Sequence, residues 1–291
     1  MFPKSFDYVV PQSLGEALAL MERHGDEAKV LAGGQSLIPL MKLRFLFPSH
    51  VIDIGRIPEL HGIDERNGEI RCGAMTRHAD IERSSLLCKH IPLLYAAATE
   101  IADVQVRNRG TLGGALAQAD PASDWATTSL ALKARFRCVS LRGERMINAG
   151  DFFKDTYTTA LEDGEILTDI FFPLPHPASR AAYIKIHRRT GDFAIASVAL
   201  QFTVDGAGHC QTIGLGVGGV GATPVAPADV IAFLRGKTLS DPVIEEAASM
   251  LKARLHPIED IRGSSDYKRR IAGVAFQRAF RKAAGRDRRE T

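Results

Sequence analysis

Cysteine is scarce and scattered in this chain. The four residues, Cys72, Cys88, Cys138 and Cys210, form no Cys-x-x-Cys pair. That spacing excludes a zinc ribbon and a locally ligated iron–sulfur cluster. Thiols dispersed in this way read as reduced and mostly buried. No apolar run approaches the roughly 18 residues of a membrane span. The N-terminal "MFPKSFDYVVPQ" lacks the apolar centre of a signal peptide, so a cytoplasmic location is expected. Charge of neither sign dominates: 37 Lys and Arg against 34 Asp and Glu leave +3. That balance gives no electrostatic case for a nucleic-acid partner. A Walker A loop in its required spacing is also missing, as are internal repeats and low-complexity blocks.

What remains is a chain of 291 residues, 45% hydrophobic, which can build a large core. A chain of this length buries about 75% of its unfolded surface and is expected to form two domains. Basic residues gather near the end: Lys268, Arg269, Arg270, Arg278, Arg281, Lys282, Arg286, Arg288 and Arg289. They read as the solvated face of a terminal helix followed by a frayed tail.

The periodicity predicts a first helix in "SLGEALALMERHG", with Leu14, Ala17, Leu18 and Met21 on one face. Ser13 and Glu16 suit a capping box, and Gly25 a C-terminal stop. Strands follow at 28–32 and 50–54, then a hairpin turning at Asn67-Gly68. Residues 76–131 read as mainly helical. "RFRCVSLRGERMINAGDFF" reads as a second hairpin and "EILTDIFFPLP" as a strand ending in prolines. "PLPHPAS", 173–179, is the best linker. Three strands beyond it, then helices near 226–234, 240–254 and 265–284, suit a separate α+β domain.

Three glycine clusters compete as phosphate cradles. Gly214-x-Gly216-x-x-Gly219 matches the dinucleotide fingerprint in letters. That fingerprint needs a helix opening at its third glycine, and Pro224 and Pro227 argue against one. It reads instead as a strand with close backbone packing. The other two clusters are Gly33-Gly34-Gln35-Ser36 and Gly110-Thr111-Leu112-Gly113-Gly114. Each is more often a plain turn than a ligand site. Together they could offer backbone amides to one anionic ligand from two sides, with hydroxyls from Ser36 and Thr111.

"AGGQSLIPLMK" (32–42), "RNRGTLGG" (107–114) and "ADPASD" (119–124), in that order, resemble the FAD-binding medium subunit of molybdenum hydroxylases. This is the family of aerobic carbon monoxide dehydrogenase and bacterial xanthine dehydrogenase-type complexes. "VIDIGRIPEL" (51–60) and "KIHRRTGDFAIASVA" (185–199) extend the resemblance over nearly the whole chain. It implies an α+β fold. A vanillyl-alcohol-oxidase (PCMH)-type FAD-binding domain would span 1–175, with subdomains near 1–56 and 57–175. An α+β C-terminal domain with a three-stranded sheet and helices would span 178–286.

The resemblance also implies site residues. Ala32, Gly33, Gly34, Gln35, Ser36 and Leu37 would line the first loop around the FAD pyrophosphate, and Thr111, Gly113, Gly114 and Ala115 the second. Ala115 stands where many relatives carry Asn or Ser. Asp124 matches an acidic position near the adenosine side, although Ser123 and Asp124 equally suit helix caps. Lys185 and Asp192 match positions beside the isoalloxazine, where a lysine would favour the anionic reduced form; a surface Lys–Asp pair is the plainer reading. Leu167 is expected near the ring, and Phe193 could shield one flavin face.

His61, His78 and His187 need no acid–base role under this reading, and no residue of this chain is expected to be catalytic or to bind metal. The implied function is electron transfer. A large molybdenum–pterin subunit would oxidise substrate, and electrons would pass through two [2Fe–2S] clusters of a small subunit to FAD here. Those partners imply a dimer of heterotrimers, a heterohexamer, with membrane association only through the complex. The alternative is a free-standing flavin oxidoreductase of the same fold. A non-redox nucleotide-binding module is the rival from another class.

Overall fold

The computed structural model describes residues 2–286 as three main sheets with helices packed around them. Ser13 caps the first helix, Leu14–His24, by accepting the Glu16 amide. The Glu16 carboxylate accepts from the Gln12 amide at 2.7 Å and not from Ser13, so only half of the expected box closes. This helix buries Ala17 and Leu18 against a parallel sheet of Asp7–Val9, His50–Asp53 and Ala28–Leu31. The six-residue helix Leu37–Lys42 lies in the crossover between the last two strands in sequence. The core of this unit is completed from outside it, by Met75 and Ile166.

The second sheet has five antiparallel strands. Ile63–Arg66 and Glu69–Gly73 form an edge hairpin. Asn67 (φ 51°) and Gly68 (φ 78°) supply the two left-handed residues that its two-residue turn requires. Ile166–Pro173 is the central strand, with Arg135–Ser140 and Gly143–Asn148 beyond it. The helical stretch 78–131 lies in sequence between the second and third of these strands and packs its apolar faces onto the sheet.

The third sheet is an antiparallel meander of Arg180–Ile186, Ala196–Val204 and Cys210–Gly218. Helices Ala228–Leu234, Asp241–Arg254 and Ser265–Ala283 follow it. Its middle strand is buried almost without alternation, because both faces are covered. Val198, Leu200 and Phe202 pack with the C-terminal helices, where Phe202 stacks on Phe280. Tyr183 and Ala199 join the central core instead.

The element that fills that side is helix Asp124–Ala131, all eight residues of which are buried despite Thr127, Thr128 and Ser129. Glycine makes the contact possible. A Cβ at Gly214 would sit 1.9 Å from the Ala131 carbonyl oxygen, and one at Gly216 2.0 Å from that of Thr127. The apparent dinucleotide fingerprint is thus strand and close packing, as its prolines suggested.

Most of the basic C-terminal run is solvated as expected, with Arg270, Arg278, Arg281, Lys282 and Arg286 exposed; Lys268 departs from it. Lys268 is buried on Ser265–Ala283, with its ammonium 2.8 Å from Asp260 Oδ1 and 2.7 Å from the Ile258 carbonyl. Lys282 reaches the Tyr183 carbonyl. Arg288 and Arg289 lie outside the described residues. Cys72, Cys138 and Cys210 are buried, while Cys88 is exposed; all four are free thiols. Burial pushes Cys72 and Cys138 up to about 12, so both stay protonated thiols at neutral pH.

Candidate cofactor-binding cleft

Between the first two sheets lies a cleft of about 410 Å³. Every residue expected on the two glycine loops lines it: Ala32 to Leu37 on one wall, Thr111, Gly113, Gly114 and Ala115 on the other. Leu167 lines it as well, at an end closed by Leu161 and Ile166. The two loops touch. A Cβ on Gly33 would lie 2.2 Å from the Arg109 carbonyl oxygen and 2.7 Å from Gly110 Cα. One on Gly113 would lie 2.4 Å from the Ala74 methyl. Glycine here lets backbone meet backbone at the floor of the cleft.

The loops differ in what they leave to a ligand. Among the described residues, the amides of Gly34, Gln35 and Ser36 donate to no acceptor. Gly34 has φ +76°, the left-handed conformation that occurs in anion-holding nests of successive amides. Ser36 opens helix Leu37–Lys42 without a side-chain cap bond, leaving its hydroxyl free too.

The second loop is different. Leu112 and Gly113 donate to the carbonyls of Thr76 and Ala74, each at 2.8 Å. Gly114 donates to Thr111 Oγ1 and Ala115 to the Thr111 carbonyl. Most of this loop's amides are thus used inside the protein, and the Thr111 amide alone has no acceptor among the described residues. The first loop supplies most of the open donors, and the second adds the Thr111 amide and hydroxyl on a wall thin enough for close backbone approach.

Asp124, Lys185, Asp192 and Phe193 do not line this cleft. Asp124 is the first residue of the buried helix, and neither it nor Ser123 makes a side-chain cap bond. Its carboxylate instead pairs with Lys185 Nζ at 3.0 Å and accepts from the Tyr183 hydroxyl. Lys185 also donates to the Glu100 carbonyl at 2.9 Å. Lys185 is thus a buried, compensated cation whose partner is Asp124, so the plainer reading of a surface pair with Asp192 fails. Burial raises the Asp124 carboxyl, while Lys185 and Tyr183 pull it back down. The pair ties the helix to the third sheet. Asp192 is exposed, and Phe193 is half exposed beneath the Arg262 guanidinium, 5.6 Å from its ring centre.

Sequence reading missed other lining residues: Lys29, His78, Gln118, Leu161 and Glu165. For Lys29 a signal existed, since it alternates with Ala28 and Val30 in a half-buried strand. Glu165 had none, because its role depends on a distant partner. Burial acts to raise its carboxyl, but the Arg145 guanidinium and the Glu162 amide outweigh that, and its pKa is lowered. Trp125 Nε1 donates to His78 Nδ1 at 2.9 Å. Burial, helped by the nearby Arg107, lowers His78 to about 4, so it is neutral at physiological pH.

These features fit a dinucleotide: a nest for a diphosphate, apolar walls for ring systems and no bulky side chain on the floor. Comparison with known proteins agrees. Residues 4–175 match the family described as "FAD binding domain in molybdopterin dehydrogenase". Residues 181–283 match the "CO dehydrogenase flavoprotein C-terminal domain". The carbon monoxide dehydrogenase medium chain of Hydrogenophaga pseudoflava is 41% identical over 98% of this chain and 99% of its own. The glyceraldehyde dehydrogenase medium chain of Sulfolobus acidocaldarius is 40% identical over 98% of this chain and 100% of its own. A solved carbon monoxide dehydrogenase from H. pseudoflava superposes with a TM-score of 0.96, covering 98% of this chain and 99% of that one. Quinoline 2-oxidoreductase from Pseudomonas putida 86 gives 0.92 at 33% identity, covering 98% and 99%. The chain therefore belongs to the FAD-binding medium subunits of the molybdenum hydroxylases, the carbon monoxide dehydrogenase and xanthine dehydrogenase type, as an oxidoreductase subunit.

Proposed function

We propose that this chain is the electron-transfer subunit of a three-component complex. A large molybdenum–pterin subunit oxidises the substrate, and a small subunit carries two [2Fe–2S] clusters. The observation that carries the reading is the row of unpaired amides at Gly34, Gln35 and Ser36, facing a second glycine wall across one cleft. Bound FAD would supply the redox chemistry, taking electrons from the small subunit's clusters and delivering them to an external acceptor.

The protein's own residues bind and shield. The nest amides hold the pyrophosphate, Leu161, Ile166 and Leu167 exclude water from one end, and the Asp124–Lys185 pair fixes the C-terminal domain against the FAD domain. The titratable groups of the cleft are poor proton shuttles. Glu165 is clamped by Arg145, and His78 is neutral with its Nδ1 taken by Trp125. That inventory suits holding a redox group better than acid–base work on a substrate.

Relatives named as medium or β subunits belong to enzymes of carbon monoxide, glyceraldehyde, nicotine and caffeine. Subunits of one type thus serve unlike substrates, which supports placing substrate choice in the large subunit. Purification from the native source tests the proposal: larger and smaller chains should co-purify with a flavin absorption band. The isolated chain should bind FAD yet hydroxylate nothing. Hydroxylation by the isolated chain, or a flavin-bearing monomer from native cells, would refute it.

A further inference from the structure

Among the buried side chains of the cleft, His78 carries a nitrogen with no partner among the described residues. His78 is only 5% exposed. Its Nδ1 accepts from Trp125 Nε1, and an indole N–H can only donate. A neutral ring so held must carry its proton on Nε2. That nitrogen makes no hydrogen bond among the described residues. The one sealed side-chain N or O without a partner among them is Ser129 Oγ, so Nε2 is not sealed. His78 lines the cleft, as does Gly110, which stands beside Nε2. Neighbouring groups hold the ring in place. The His78 amide donates to the Gly110 carbonyl at 3.0 Å, and a Cβ at Gly110 would stand 2.6 Å from Nε2.

An N–H fixed in direction, nine-tenths buried and unanswered is costly unless a ligand accepts from it. The adjoining loops mark where acceptors come. Gly110, which touches the ring, also touches Gly33 at the start of the nest. We propose that His78 Nε2–H donates to a phosphate oxygen of the dinucleotide bound in the cleft, with Trp125 fixing the tautomer that makes this possible. The inference rests on the FAD reading of the cleft. It adds to the second wall a side-chain donor that binds by direction and not by charge. Trp125 is then a positioning residue that acts through His78.

Full-length chain freed of flavin is titrated with FAD, ADP and riboflavin, following flavin fluorescence or calorimetry. His78→Phe should weaken FAD and ADP by about tenfold or more, as expected for a hydrogen bond to a charged group. Riboflavin, without phosphate, should bind as before. His78→Gln, which keeps a donor near Nε2, should recover most of the affinity, and Trp125→Phe should lose part of it. Urea unfolding of the flavin-free variants separates a structural role.

Unchanged FAD and ADP affinity in His78→Phe overturns the proposal. So does equal loss for riboflavin, or loss that follows stability and is not recovered by His78→Gln. Nitrogen NMR of the imidazole showing a proton on Nδ1 overturns it independently. A wild-type chain that takes up neither FAD nor ADP instead defeats the reading of the cleft, and this inference with it.

Discussion

Two glycine-rich regions of this molecule look alike in sequence and do different work. At 214–218 glycines let a strand lie against helix Asp124–Ala131, with carbonyls where the Cβ atoms of Gly214 and Gly216 would be and the Thr127 hydroxyl at Gly218. At 33–34 and 110–114 glycines also let chains meet, but the meeting forms the floor of a cleft. Close approach is common to both. The distinguishing feature is the hydrogen-bond accounting. The strand glycines sit in a ladder with regular partners, whereas Gly34, Gln35 and Ser36 leave their amides open. Glycine spacing alone reports proximity; unanswered donors report a ligand.

Changes at the helix–sheet contact should therefore strike stability, and changes at the cleft should strike ligand retention. The largest effect is expected at the pair that locks the contact. Lys185→Met leaves the Asp124 carboxylate buried without its cation and should cost about 4 kcal/mol in urea unfolding. Adding Asp124→Asn should restore part of it. Gly216→Ala drives a methyl into the Thr127 carbonyl and should cost about 3 kcal/mol. A cost below about 1 kcal/mol would show the contact to be loose.

Acid should act through His78. Its folded pKa of about 4 lies below the unfolded 6.5, so the unfolded state binds the proton first. The contribution is complete above 6.5 and is lost as pH falls toward 4. Between 6.5 and 5 that is about 2 kcal/mol. His78→Gln should flatten this part of the stability profile relative to wild type. On the cleft side, Gly33→Ala drives a methyl into the Arg109 carbonyl and should cost about 2 kcal/mol of stability, while FAD affinity falls much further. Smallest is Ser36→Ala. It should leave unfolding within about 0.5 kcal/mol and weaken FAD only a few-fold, because its hydroxyl has no partner among the described residues.

How much of this was legible beforehand follows from range. The Asn67-Gly68 hairpin, the strand at 210–218 and the C-terminal helices rest on local turn chemistry and periodicity, which a sequence states directly. The two glycine loops could be paired through the family resemblance, and they do share a cleft. Lys185 pairs with Asp124, 61 residues away, and not with nearby Asp192. Lys268, within a basic run, turns inward to Asp260. His78 looked idle because its tautomer is set by Trp125, 47 residues on.

The sequence by itself determined the main helices and strands, their order and the two loops at which backbone must come close, though not the strand Asp7–Val9 or the helix Leu37–Lys42. These follow from side-chain size, turn preference and hydrophobic period, which act over a few residues. Only the tertiary structure decided which amides remain unpaired, which charges meet and which imidazole nitrogen carries the proton. Those outcomes depend on what burial brings opposite each polar group, and burial is a property of the whole fold.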